Sequence, residues 1–98
     1  MDPDSNDALF QRRRRLLYRA THRGTYENDL VIGGYAHRHI AAMDEAALDQ
    51  FEAVMEHPDA ELADWLTGRL PIPDAVDSPM LRSIRDQAAE VAQAKQGR

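Results

Sequence analysis

The sequence predicts an all-α protein, a compact five-helix bundle-like single domain, and three observations support this prediction. Apolar residues recur at three- and four-residue spacing in several stretches, which is typical of amphipathic helices. Glycines, prolines and capping residues stand between these stretches, where helices begin and end. No stretch alternates apolar with polar residues in the manner of a half-buried strand, so no strand is expected.

The first two helices are predicted on either side of Gly24. One spans residues 8–22, with Asp7 as its N-cap and Gly24 as its C-terminal stop. The other spans residues 26–43 and contains the pair Gly33-Gly34 in its middle. Each glycine disfavours a helix interior by ~1 kcal/mol relative to alanine. The second helix therefore requires tertiary support, such as the close packing of another helix.

Three further helices are predicted in the second half of the chain. Asp44 caps the third helix, and His57-Pro58 ends it because the residue before a proline avoids the α region. Asp59 is expected to cap a short fourth helix that Gly68 closes. Ser78-Pro79 begins the fifth helix as N-cap and first helical residue. The predicted buried faces are Leu48, Phe51, Val54 and Met55 in the third helix, Leu62, Trp65 and Leu66 in the fourth, and Leu81, Ile84, Ala88 and Val91 in the fifth.

The composition narrows the class of protein. Residues 1–6 are expected to be a disordered N-terminal tail, and residues 7–95 a single helical domain. The chain has no cysteine, which excludes structural disulfides, thiolate zinc sites and iron–sulfur ligation. A net charge of −5 disfavours binding to phosphate backbones. No apolar run approaches the ~20 residues that span a bilayer, so no membrane insertion is expected.

The residues that could carry chemistry form no catalytic constellation. His37 and His39 lie two residues apart and point to different sides of a helix, whereas two metal ligands on a helix need a spacing of three or four. Both are interpreted as surface histidines, like His22 and His57. Gly33-Gly34 does not have the pattern of a phosphate-binding loop. Neither a catalytic nor a metal site is therefore predicted, and the protein is not expected to be an enzyme.

The run Arg12-Arg13-Arg14-Arg15 has three interpretations. It could be a patch that binds nucleic acid. It could be a solvated helix face whose long side chains cover apolar neighbours. It could also be a docking surface for an acidic protein. Four consecutive residues spread around most of a helix, so they cannot form one flat strip.

A second feature, Arg23-Gly24-Thr25-Tyr26-Glu27, lies at the junction of the first two helices. Gly24 allows the left-handed backbone conformation that ends one helix before the next begins. Arg23 and Glu27 are then expected to flank an exposed corner, where substitution of either leaves stability nearly unchanged. Taken alone, these residues favour an ordinary helix cap with an incidental arginine and a first-turn glutamate.

The sequence around this corner resembles the start of the succinate dehydrogenase assembly factor family. The resemblance lies in Arg15-Leu16-Leu17-Tyr18-Arg19, in Arg23-Gly24-x-x-Glu27-x-Asp29, and in an acidic stretch over residues 56–65 that leads to a tryptophan. It covers about residues 13–95. The family often has a larger residue beside the glycine of its second helix, where this chain has Gly33-Gly34.

The resemblance implies a chaperone-like assembly factor that binds the flavoprotein subunit of succinate dehydrogenase and promotes its covalent flavinylation with FAD. It does not decide whether a fumarate reductase is also a client. It implies that Arg23, Gly24 and Glu27 bind the partner, with Asp29 as a weaker candidate. It further implies that the chain binds no cofactor stably, because FAD is attached to the partner. The protein is expected to be a cytoplasmic monomer, and its acidic composition predicts that it binds no nucleic acid. The alternative function is a small helical nucleic-acid-binding regulator that uses the arginine run.

Overall fold

The computed structural model describes residues 3–96, with side chains described for residues 7–94, and its elements are helical throughout. No strand occurs within residues 3–96, so the prediction of an all-α, five-helix fold is confirmed. None of the helices in this range is long and apolar enough to cross a membrane. The helices are α1 (Pro3–Thr21), α2 (Tyr26–His39), α3 (Glu45–Met55), α4 (Asp59–Leu66) and α5 (Pro79–Gln96), with a 3-10 turn (Ile40–Ala42) between α2 and α3.

The start of α1 differs from the prediction. The helix begins at Pro3, so Asp7 lies inside it and is not its N-cap. The expected tail over residues 1–6 therefore overlaps the helix at residues 3–6, and residues 1 and 2 lie outside the described range. A domain boundary at residue 7 stays a prediction.

The ends of the middle helices follow the expected capping chemistry with two differences. Asp44 caps α3, since its carboxylate accepts a hydrogen bond of 2.8 Å from the backbone N–H of Ala47. The helix predicted over residues 26–43 is α-helical to His39 and tightens into the 3-10 turn. Asp59 is the first residue of α4 rather than its cap, and Pro58 occupies the cap position without a side-chain bond.

The last two connections confirm the predicted turn residues. Gly68 has a φ of +79°, the left-handed conformation that closes α4. At the start of α5, the Ser78 hydroxyl accepts a hydrogen bond of 3.1 Å from the backbone N–H of Leu81. From this start α5 packs against α2, α3 and α4.

The core lies where the helices face one another. The predicted buried residues of α3 and α4 are all confirmed, as are Leu81 and Ile84 of α5. Ala88 and Val91 are only half-buried. They line a groove between α5 and the α2 residues Leu30 and Gly34, because this half of α5 packs less closely on α2.

The adjacent glycines Gly33 and Gly34 lie in different surroundings. A Cβ atom at Gly33 would lie 2.9 Å from Cγ2 of Thr21 and 3.4 Å from the carbonyl oxygen of Ala20. A Cβ atom at Gly34 would have no neighbour within 4 Å. The predicted close helix packing is therefore confirmed at Gly33, where α2 contacts the last turn of α1. This contact lies close to the corner at Gly24, where α1 ends and α2 begins.

Candidate functional site

The corner between α1 and α2 is a tight backbone turn centred on Gly24. Gly24 has a φ of +98°, so it adopts the left-handed conformation that the sequence predicts. Thr25 occupies the N-cap position of α2 but makes no side-chain cap bond. Asp29 reaches back from the first turn of α2 and accepts a hydrogen bond of 2.7 Å from the backbone N–H of Arg23. Asp29 therefore holds the turn closed from inside the helix.

The guanidinium of Arg23 points inward and binds the turn between α3 and α4. Its Nε donates to Oδ1 of Asp59 at 2.6 Å. Its Nη1 donates to the carbonyl of Met55 at 2.9 Å, and its Nη2 to the carbonyl of His57 at 3.1 Å. Carbonyls at a helix end lack partners within the helix, so Arg23 caps the C-terminus of α3. Its side chain is only 11% exposed.

Two more residues complete this buried polar cluster. Asn28, which is 1% exposed, donates from Nδ2 to the backbone oxygen of Asp59 at 2.9 Å and to its Oδ1 at 3.0 Å. Within the described part of the chain, Oδ1 of Asn28 has no hydrogen-bond partner. We call Arg23, Asn28 and Asp59 the corner lock, because they join the α1–α2 corner to the start of α4.

The corner lock also determines the charge state of Asp59. Burial opposes ionisation of the carboxyl, but hydrogen bonds from Arg23 and Asn28 and the positive charge of Arg23 outweigh this effect. The pKa of Asp59 therefore lies below its ordinary value. The carboxylate is ionised at neutral pH and accepts from both donors.

The four predicted site residues lie together, but they face two directions. Gly24 and Glu27 are exposed, whereas Arg23 and Asp29 face the interior of the corner. The expectation that Arg23 is exposed is wrong, because the carboxylate and carbonyls that suit its planar fork come from its own chain. Glu27 accepts only a long hydrogen bond of 3.3 Å from the half-exposed Arg69. Such a surface pair contributes little, so Glu27 remains available to a partner.

Asn28 is the residue of this site that the sequence prediction missed. It precedes Ile32 and Ala36 at four-residue spacing, so it occupies a core position of α2. A polar residue at a core position requires a hydrogen-bond partner. That spacing was the available signal for a buried polar contact.

The arginine run is divided between internal contacts and solvent. Arg12 donates to Asp49 at 2.7 Å and to Glu52 at 3.2 Å, which ties α1 to α3. Arg13 donates to the carbonyl of Met43 at 2.8 Å. The other two arginines of the run are exposed. Half of the run is thus used within the fold, which favours a structural interpretation over a nucleic-acid patch.

The histidines do not assemble a metal site. Among the described side chains, no group of three or more His, Cys, Asp and Glu residues could hold a metal ion. His22 stacks on Tyr18 with ring centroids 4.0 Å apart. His57 is half-buried and meets the ring of Trp65 edge-on at 5.3 Å, so the interpretation of His57 as a surface residue is wrong.

The fold and the corner define a class of protein, a small helical protein whose candidate site is an exposed corner suited to binding another protein. Residues 14–88 match the protein family described as flavinator of succinate dehydrogenase. The chain belongs to this family, and the family prediction made from the corner motif is confirmed.

Individual relatives agree with this assignment. The FAD assembly factor SdhE of Acetobacter pasteurianus is 49% identical over 80 residues, which cover 82% of this chain and 73% of the relative. The mitochondrial succinate dehydrogenase assembly factor 2 of Candida glabrata is 29% identical over 85 residues, covering 83% of this chain and 56% of the relative. That of Scheffersomyces stipitis is 31% identical over 81 residues, covering 79% and 54%. The chain thus spans about half the length of these mitochondrial relatives.

Proposed function

We propose that this chain is an assembly factor that binds the flavoprotein subunit of succinate dehydrogenase and promotes the covalent attachment of FAD to that subunit. The observation that carries this proposal is the family match over residues 14–88, with the motif Arg23-Gly24-x-x-Glu27 folded into a single corner. The role is that of a chaperone, and the reacting groups belong to the partner. FAD remains with the flavoprotein, and this chain binds no cofactor stably.

The proposed mechanism is selective binding of one partner conformation. The factor favours the arrangement of the flavoprotein in which the partner's own nucleophile lies beside the flavin. A ligand shifts such an equilibrium only by its differential affinity for the two states, and a few kcal/mol change the populations by orders of magnitude. A small protein surface suffices for that difference in binding.

The exposed residues of the corner suit this role. Glu27 presents a carboxylate that accepts hydrogen bonds from the partner, and Gly24 lets the partner backbone approach closely. Tyr26 is 84% exposed beside them and Leu30 is 53% exposed one turn further along α2. Exposed aromatic side chains are common anchors of protein interfaces. We propose that the partner covers this face.

The alternative function, a nucleic-acid-binding regulator, is disfavoured. Arg12 and Arg13 are engaged within the fold, and the chain carries a net charge of −5. Both features weaken the electrostatic attraction that nucleic-acid binding requires. We also propose that the protein acts as a monomer in the cytoplasm.

Covalent flavin on the partner tests the proposed function. The flavoprotein subunit is produced in cells that lack an assembly factor of their own, with or without this chain, and flavin fluorescence is measured in the denatured subunit on a gel. We expect strong fluorescence only when the chain is present. Equal fluorescence in both samples would contradict the proposal. A fumarate reductase flavoprotein, tested in parallel, shows whether it is a second client.

A matched pair of variants tests the contact face. Glu27 and Glu45 are both exposed glutamates in the first turn of a helix, in α2 and α3. We expect Glu27→Gln to weaken partner binding at least about tenfold, because a charge removed at an interface weakens binding strongly. Glu45→Gln should bind like wild type. If the two variants bound the partner equally well, Glu27 would not contribute to the interface.

A further inference from the structure

We infer that the corner lock is a positioning element of the partner-binding site. In this inference, which rests on the proposed function, Asn28 and Asp59 hold Gly24 and Glu27 in the geometry that the partner recognises. Arg23 acts through that geometry and does not touch the partner. The conspicuous arginine of the motif thus works from inside the fold, while its glycine and glutamate work at the surface.

The first argument is that the guanidinium of Arg23 is already hydrogen-bonded within its own chain. All three nitrogen atoms of the Arg23 guanidinium donate hydrogen bonds within the chain, to Asp59, Met55 and His57. The side chain is 11% exposed, so little of the guanidinium is accessible to a partner, and a bidentate pair with a partner carboxylate would compete with the bond to Asp59. Displacement of Asp59 would deprive a carboxylate whose side chain is only 31% exposed of its cationic partner, which is unfavourable.

The second argument is the place of Asn28 in the chain. Asn28 follows Glu27 directly, and its Nδ2 donates twice to Asp59 at 2.9 and 3.0 Å. These two bonds fix the rotation of α2 about its axis relative to α4. Because side-chain directions on a helix are set by that rotation, anchoring Asn28 also sets the direction in which Glu27 leaves the surface. On the other side of the turn, Asp29 fixes the backbone N–H of Arg23.

The third argument is energetic. An ionic cluster that is partly withdrawn from solvent is a poor way to stabilise a fold, since apolar residues of similar volume often do so as well or better. Hydrogen bonds are nevertheless directional, so a hydrogen-bonded cluster restricts the relative orientation of its helices more than apolar packing does. The cluster therefore fixes the orientation of the α1–α2 corner relative to α4 better than a hydrophobic contact would. This orientation matters here because both exposed residues of the motif sit on the backbone that the cluster anchors.

A double-mutant cycle between a buried and an exposed residue tests this inference. Asp59→Asn keeps the shape of the side chain and an acceptor oxygen but removes the charge that binds Arg23. It is combined with Glu27→Gln, and the dissociation constant for the purified flavoprotein subunit is measured for wild type, both single variants and the double variant. We expect Asp59→Asn to bind at least about fivefold more weakly and Glu27→Gln at least about tenfold more weakly than wild type, and the double variant to bind no more weakly than the worse single variant. Independent effects that multiply in the double variant would overturn the inference, as would wild-type binding by either single variant.

A second arginine serves as the control for plain loss of stability. Arg13 is also half-buried and also donates to a backbone carbonyl, that of Met43, but it lies away from the corner. At a temperature where urea titration shows every variant to be folded, we expect Arg13→Ala to support wild-type flavin attachment and Arg23→Ala to lose most of it. Equal losses at equal stability would assign Arg23 a merely structural role and overturn the inference. If wild type itself fails to promote flavin attachment, the proposed function is wrong. If wild type is active but the two substitutions weaken binding independently, only the inference about the corner lock is wrong.

Discussion

The adjacent glycines of α2 allow a sharp test of the packing that shapes the corner. In Gly33→Ala the new methyl group would lie 2.9 Å from Cγ2 of Thr21 and 3.4 Å from a backbone oxygen. Thr21 cannot easily turn away, because its hydroxyl donates to the carbonyls of Leu17 and Tyr18 at 3.0 and 3.1 Å. In Gly34→Ala the methyl group meets no atom within 4 Å. The two variants therefore make the same chemical change in opposite surroundings.

The expected magnitudes follow from two opposing effects. Replacing glycine by alanine inside a helix stabilises it by ~1 kcal/mol. Gly34→Ala should receive this gain and raise the free energy of unfolding by ~0.5–1 kcal/mol. In Gly33→Ala the same gain is opposed by overpacking, which costs ~1–3 kcal/mol. We therefore expect Gly33→Ala to lower the free energy of unfolding, and the two variants to differ by ~1–3 kcal/mol.

Urea unfolding measures this difference directly. Trp65, which is 7% exposed in the core, reports on tertiary structure by fluorescence, and circular dichroism reports on helix content. In a thermal scan a change of 1 kcal/mol shifts the melting temperature of a domain this size by about 4–8 °C. If Gly33→Ala proved as stable as Gly34→Ala, the close approach of α1 and α2 would be refuted. The predicted support of the glycine pair by helix packing would then fail as well.

Three further predictions concern the core, the lock and the arginine run. Trp65→Ala should lower the free energy of unfolding by ~3–5 kcal/mol, and a fluorescence spectrum of fully hydrated tryptophan in the folded protein would contradict this. Because the pKa of Asp59 is lowered in the folded state, its contribution to stability is present above its unfolded pKa of about 3.9 and is lost as the pH falls through the lower folded value. Urea midpoints should thus show wild type losing its advantage over Asp59→Asn below about pH 4, whereas a constant difference from pH 6 to 2.5 would argue against the ionised lock. Gel-shift titrations at physiological salt should show no sub-micromolar nucleic-acid binding, and sequence-selective binding would support the alternative function.

Most of the fold was predictable because its signals are local. The apolar spacing of α3, α4 and the first half of α5 identified their buried faces, and Asp44, Gly68 and Ser78 marked helix ends through contacts within a few residues. The start of α1 was predicted wrongly because an aspartate before an apolar helix pattern indicates an N-cap, whereas Asp7 lies in the second turn of a helix that begins at Pro3.

The candidate site was harder because its contacts are distant in sequence. An aspartate just before an apolar helix pattern indicates an N-cap, and this local rule assigned Asp59 the wrong role. Its actual partner, Arg23, lies 36 residues away, and no local pattern encodes that pairing. The charge of Arg23 was evident from the sequence, but the burial of its side chain was not, since arginine is seldom buried. Only the four-residue spacing from Asn28 to Ile32 indicated a polar residue facing inward.

The corner lock affects the order in which contacts can form while the chain is being synthesised. The motif proposed to contact the partner is contiguous, yet the acceptors that orient its arginine lie 32, 34 and 36 residues further along the chain. A nascent chain that ends before α3 carries the whole motif but none of these acceptors. The side-chain contacts of Arg23 can therefore be complete only after Asp59, the first residue of α4, has been synthesised. We therefore expect a chain that ends before α3 to present the motif without the contacts that orient the side chain of Arg23.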